Sequence, residues 1–436
     1  MAADVKVLGM KPEGGRWLLV FTGLVIQLCL GAIYAWSVVN PHVTKYFETA
    51  LQLKVSKTEM LIPYIVFLAV FAISMPLVGP FIEKYGPKKV GVVGGLCTGL
   101  GWFLASFATS PVLLALLYGV VGGLGVGIAY GVPIAVSARW FPDKRGLAVG
   151  LTVLGFGFSA FLTGKLTDFF VAEYGIITTF RIFGGAFAVV TVLLSLLLAF
   201  PPAGWKPEGW APPKPAGGAG VKVDLTRGEA LRTSSFWGLW ICYTIGTLAG
   251  LMAIGIAKGV GTEVGIAAAT ATTLVGIFAV CNGLGRPVFG WLTDKLSPRN
   301  TALLSYVLIG GGSLALYFAW SSTMYIVAFC ILWACLGGWL ALAPAATGSF
   351  FGTKDYARTY GVMFTAYGAG AVIGSILAGQ MKDIFGSFKN VFPIVAGLAA
   401  VGIVVALLLV KPPKVEAKAE EKPAEKPAEK PAEQKA

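Results

Sequence analysis

Arg286 and Asn282 stand four residues apart inside the apolar stretch 266–292, in the run Cys281-Asn-Gly-Leu-Gly-Arg286-Pro287. On a helix that spacing puts both side chains on one face. Arg286 lies eight residues before Asp294, about 12 Å at 1.5 Å per residue, so its guanidinium falls near the midplane of a hydrocarbon core about 30 Å thick. A cation at that depth costs about 3 kcal/mol even on the lenient scale, and it normally faces a cavity and a partner. No Asp or Glu lies deep in any apolar stretch, so the missing counter-ion is expected to arrive from outside the chain. The planar guanidinium fork suits a carboxylate in bidentate fashion. Asn282 can donate to the same oxygens, or to a neighbouring hydroxyl or keto group. The alternative for Arg286 is snorkelling, or a bond to backbone carbonyls released near Pro287.

Tyrosine hydroxyls are neutral donors suited to carboxylate oxygens in an apolar cavity. Tyr130, nine residues before Arg139, and Tyr367, thirteen after Lys354, both fall at middle depth. Tyr34 lies somewhat nearer the outer side. Phe156 and Trp339 are candidate apolar walls, with ordinary helix packing the alternative for each. The sole histidine, His42, is expected to be a solvated residue of the first outer loop, because one imidazole makes no metal site. The six cysteines show no CxxC spacing, so neither a zinc site nor a structural disulfide is expected. No cofactor is expected, and no cluster of His, Asp or Cys suggests enzymatic chemistry.

The elements that must position these residues follow from composition. Of 436 residues, 56% are hydrophobic and only 13% charged, with a mean hydropathy of +0.77. Soluble domains carry roughly 25% charged residues, so lipid must solvate most of this chain. The pattern predicts an all-α membrane protein with twelve transmembrane helices in two six-helix pseudo-symmetric bundles. The spans fall near 17–39, 58–82, 89–108, 111–138, 144–170 and 179–200, then 236–257, 266–292, 298–320, 324–350, 356–380 and 389–410. No cleavable signal peptide is expected, because the first span follows a short polar start and runs a full membrane width.

The net charge of +13 could suggest nucleic acid, but its distribution argues against that partner. Of 34 Lys and Arg, 25 lie on the side carrying both termini and 8 on the other. The positive-inside rule then puts both termini in the cytoplasm, in a multi-pass protein of the plasma membrane. Residues 1–200 and 236–410 form the two predicted bundles. They are joined by a Pro- and Gly-rich cytoplasmic linker, 201–235, and followed by a charged tail, 411–436. The tail runs Glu-Lys-Pro-Ala three times from Glu421 to Ala432 and is expected to be disordered.

The halves repeat each other. The loop Gly79-Pro-Phe-Ile-Glu83-Lys84-Tyr-Gly86-Pro87-Lys88 returns as Gly290-Trp-Leu-Thr-Asp294-Lys295-Leu-Ser297-Pro298-Arg299. A weaker echo pairs Arg139-Trp-Phe-Pro-Asp143-Lys144-Arg145 with Ser349-Phe-Phe-Gly-Thr-Lys354-Asp355-Tyr-Ala-Arg358. Glu83, Lys84, Asp294, Lys295, Asp143 and Arg145 sit where helices leave the membrane, so they are candidate gating residues. Two such repeats suggest halves that rock about a midplane site. Glycines at 91, 95 and 99, and at 123, 127 and 131, line helix faces along which neighbours can pack closely.

The paired loops resemble the major facilitator superfamily over the whole chain except the tail. The segments 139–148 (Arg-Trp-Phe-Pro-Asp-Lys-Arg-Gly-Leu-Ala), 125–131 (Gly-Val-Gly-Ile-Ala-Tyr-Gly) and 34–36 (Tyr-Ala-Trp) resemble its oxalate–formate antiporter family. That resemblance implies that Tyr130 and Tyr34 line a carboxylate cavity. The family's second base, on span 11, falls here at Tyr367, and two aromatic positions of span 10 read Leu336 and Leu340. Compared with eukaryotic monocarboxylate porters, the span 8 acid reads Asn282 and the span 1 lysine is missing.

With one base instead of two, the expected substrate is a monocarboxylate such as lactate, pyruvate, formate or acetate, moved by alternating access. Protons are a candidate second partner, and symport and anion exchange both stay open. An oxalate or dicarboxylate exchanger, or a non-transporting receptor on the same scaffold, is the alternative. The lipid bilayer is the one other expected partner, and a monomer is expected.

Overall fold

The computed structural model describes residues 6–202, 204–209, 225–352 and 355–413. Most of the predicted linker, Lys354 and the tail from residue 414 lie outside the described residues. Long apolar runs form helices because a backbone in lipid must satisfy its own hydrogen bonds. In chain order these are α1 (Pro12–Leu30), α2 (Trp36–Thr49), α3 (Lys57–Ala105), the short α4 (Pro111–Leu114) and α5 (Val121–Trp140). Then follow α6 (Arg145–Ser195), the short α7 (Arg227–Leu231), α8 (Ser234–Glu263) and α9 (Ala268–Leu296). The last four are α10 (Pro298–Phe318), α11 (Ser322–Phe351), α12 (Tyr356–Phe385) and α13 (Val391–Leu409). Polar caps set several starts. Ser56 and Glu59 close a capping box on α3, and Ser321 caps α11.

Among the described residues ten continuous helices are long and apolar enough to cross a membrane. Helix α3 has 49 residues, about 74 Å, far more than one crossing needs. It breaks at Gly86 (φ 80, ψ 164), and the 51-residue α6 breaks at Gly175 (φ 75, ψ 167). Each therefore crosses twice, which yields the twelve expected spans. The repeated loop recurs in the backbone: Ser297, the counterpart of Gly86, turns with φ 79 and ψ 155.

The N half (α1–α6) and the C half (α7–α13) meet where α3 lies on α12 and α6 lies on α9. The first glycine stripe packs on the second crossing of α6. A Cβ at Gly91 would lie 2.6 Å from Ser195 Oγ, and one at Gly95 would lie 2.8 Å from Thr191. The described ends of the linker dock on separate halves. Trp205 packs on Trp140 at 4.7 Å, and Leu225 N donates to Phe351 O at 2.9 Å. The bundle has two ends: a terminal end, where α1 begins and α13 stops, and a far end opposite it.

Candidate functional site

Arg286 reaches across from the C half. Its Nη1 donates to the carbonyl of Val153, on the first crossing of α6, at 2.6 Å. The residue is only 6% exposed, and its Nε and Nη2 have no hydrogen-bond partner. Those two N–H groups form one edge of the guanidinium, the edge that receives a carboxylate side-on. No acidic side chain among the described residues pairs with Arg286.

The surrounding wall is aromatic and comes from both halves. Tyr34 sits in a 3-10 turn, Gly31–Ala35, that interrupts the first span. At the start of that turn Gly31 lies against the Phe156 backbone, where a Cβ would come within 2.8 Å of the Phe156 Cα. The Tyr34 hydroxyl meets that of Tyr367 at 2.8 Å, across the interface between halves. Phe156 stands edge-on to Tyr34 at 5.0 Å and to Tyr130 at 5.3 Å. Tyr34 and Tyr130 both lie within the electrostatic reach of Arg286. The structure thus brings Arg286, Tyr34, Tyr130, Phe156 and Tyr367 together.

Asn282 and Trp339 are placed differently. Asn282 shares the Arg286 face, as expected, but its amide donates to Trp333 O at 3.0 Å and its Oδ1 has no partner. Trp339 donates to Ser305 Oγ at 3.0 Å and stacks near Tyr243 at 6.0 Å, inside the C half. Three further residues belong to the wall: Phe71, Phe364 and Tyr243. Phe71 is 5.1 Å from Tyr130 and 5.5 Å from Phe364, and the buried Tyr243 hydroxyl lies near Arg286 and Tyr360. Phe364 was readable from its position one turn before Tyr367. Nothing distinguished Phe71 among 28 phenylalanines.

The loop charges pair within the N half. Arg139 bonds Glu83, and Arg16 bonds Asp143 at 2.7 Å and the Trp140 carbonyl at 3.2 Å. Burial acts to raise the Asp143 carboxyl, but the Arg16 hydrogen bonds outweigh it and hold it below the ordinary range. Lys84 lies over the ring of Tyr85. Arg145 begins α6, and its side chain lies outside the described residues. Asp294 and Lys295 border a cavity of about 500 Å³ with Thr293 and Ser349 at the terminal end.

One expectation is overturned. His42 is not a solvated loop residue: the helix α2 runs through it, and its Nε2 meets Asp168 Oδ1 at 2.9 Å. Helix α8 also extends past the predicted span end at 257, so Lys258 is buried at 5% exposure and bonds the same carboxylate at 3.0 Å. The reason is helix length: both helices continue past the apolar run, and partner helices cover the polar residues.

The sequence profile of the Major Facilitator Superfamily matches residues 17–257 and 239–434. The oxalate:formate antiporter of Oxalobacter formigenes is 29% identical over 378 residues, 86% of this chain and 86% of its own. Monocarboxylate transporter 13 of Bos taurus is 28% identical over 354 residues, 78% of each chain. A bacterial homologue of the human lysosomal transporter Spinster has the same fold. Its TM-score is 0.64 at 16% identity, over 91% of this chain and 95% of that one.

Proposed function

The chain belongs to the Major Facilitator Superfamily, and from that premise we propose that it carries small monocarboxylates across the plasma membrane, with Arg286 as the anchor. It is a multi-pass secondary transporter and not an enzyme. The substrate class is lactate, pyruvate, formate or acetate. The observation that carries this reading is the buried Arg286 edge, Nε and Nη2, with no hydrogen bond and, among the described residues, no acidic side chain paired with it. One carboxylate balances one guanidinium. A dianion would bring a second charge into an aromatic cage, and an unpaired buried charge is costly. At the span 11 position where a second base would stand, Tyr367 offers a hydroxyl that is bonded to Tyr34.

Alternating access would separate the halves first at one end and then at the other. The Glu83–Arg139 and Arg16–Asp143 pairs brace the N half at the terminal end, where Asp294 and Lys295 face open space. The excess of Lys and Arg at that end supports a cytoplasmic placement for it. The likeness to the oxalate:formate antiporter favours a dicarboxylate exchanger as the second reading.

The test is uptake of labelled L-lactate by purified protein in liposomes, with unlabelled pyruvate, formate, acetate and oxalate as competitors. Saturable uptake displaced by monocarboxylates and not by oxalate is expected. Oxalate flux without lactate flux would replace this reading with the dicarboxylate one. Binding without any flux would point to a receptor.

A further inference from the structure

The far ends of the two halves are joined by an ion pair that shares its acceptor with the chain's sole histidine. Asp168 Oδ1 accepts from Lys258 Nζ at 3.0 Å and meets His42 Nε2 at 2.9 Å. Lys258 belongs to α8 of the C half, whereas His42 and Asp168 both belong to the N half, on α2 and α6. One carboxylate therefore has two rival partners, one across the interface and one on its own side. Thr272 of α9 also faces Asp168. The other charged groups nearby are committed or exposed. Glu263 pairs with Lys382, Lys165 lies over Phe161, and Lys45, Glu48 and Glu173 are exposed.

We propose that His42 and Asp168 form a proton-binding site that decides how firmly the far end is latched. With the imidazole neutral, Lys258 is the one cation on Asp168, and separating the halves would strand the buried Lys258 ammonium away from the half-buried Asp168 carboxylate. A proton from the far aqueous phase adds to Nδ1, the ring nitrogen not engaged with Asp168. No other bond changes. The imidazolium then serves as the Asp168 counter-ion within the N half and repels Lys258, so the far end parts more readily. Imidazole is in general the side chain that changes charge between pH 5 and 8, and that range sets the pH values of the test. Coupling between such sites is typically 5–150-fold, and acid should raise the far-open population about tenfold.

The proposal goes beyond the carboxylate reading and is tested without substrate. Spin labels at Glu48→Cys and Thr262→Cys, exposed at the far ends of opposite halves, report the separation by pulsed dipolar spectroscopy. The native cysteines, all buried or half-buried, stay in place, and the affinity tag carries no histidine. Between pH 8 and pH 5.5 the long-distance population of the otherwise native chain should grow about tenfold. In His42→Gln it should not respond, and Lys258→Met should show the long distance already at pH 8. An unchanged distribution in the otherwise native chain, or an equal response in His42→Gln, overturns the proposal. The first of these outcomes needs no variant at position 42, so misfolding of His42→Gln cannot shield the idea.

Discussion

Arg286 was legible as a problem before it was legible as a site. A lone deep cation with no acid in any apolar run demands a partner. The structure adds that Val153 O takes one N–H and leaves the Nε/Nη2 edge unbonded. Arg286→Lys keeps the charge but loses that edge. A hydrogen bond to a charged group is worth about 1.5–3 kcal/mol, so lactate uptake should fall at least about tenfold; native-like flux would remove the anchor role. Tyr367→Lys should turn preference toward dianions by adding a second cation, read as oxalate outcompeting lactate, and unchanged competition would take this position out of the site. What the sequence could not reveal were Phe71 and Tyr243. Buried aromatic residues are common in any membrane bundle, and only a cross-helix neighbour distinguishes a wall from packing.

At the scale of elements, the repeated loop was readable because both copies need the same sharp reversal. Gly86 meets that need without strain, since glycine has no Cβ to clash. Ser297 takes nearly the same dihedrals (φ 79, ψ 155) with a side chain attached. That region of backbone space is essentially reserved for glycine and costs a serine about 1–3 kcal/mol. Ser297→Gly should therefore raise the melting temperature in detergent, while Gly86→Ser should lower it. A drop for Ser297→Gly would show that the serine hydroxyl contributes more than the strain costs. Helix ends were the weak point of the sequence reading. The helices of His42 and Lys258 continue past their apolar runs because neighbouring helices, rather than lipid, cover those last turns.

At the scale of the whole molecule, hydrogen bonds join the halves at the level of Arg286 and toward the far end. Asp383 caps the start of α3 by accepting from the backbone N–H of Lys57 and Thr58, and Lys258 holds Asp168. A Cβ built at Gly379 would lie 2.7 Å from Thr58 Cα and 3.1 Å from its Cβ, closer than the usual Cβ–Cβ disulfide range of about 3.5–4.5 Å, so the two helices must part slightly to accept a bridge. Thr58→Cys with Gly379→Cys should cross-link under oxidant and stop transport, and reductant should restore it. Full flux in the cross-linked protein would mean that the far end need not open. The sequence by itself determined the membrane class, the twofold repeat, the twelve crossings and the lone arginine at middle depth. These are properties of composition and period, which act locally along the chain. Only the tertiary structure decided which residues meet across the halves: Arg286 with Val153, Tyr34 with Tyr367, and His42 and Lys258 on one carboxylate. Such pairings depend on how helices rotate and where they end, and that is settled by packing between segments far apart in sequence.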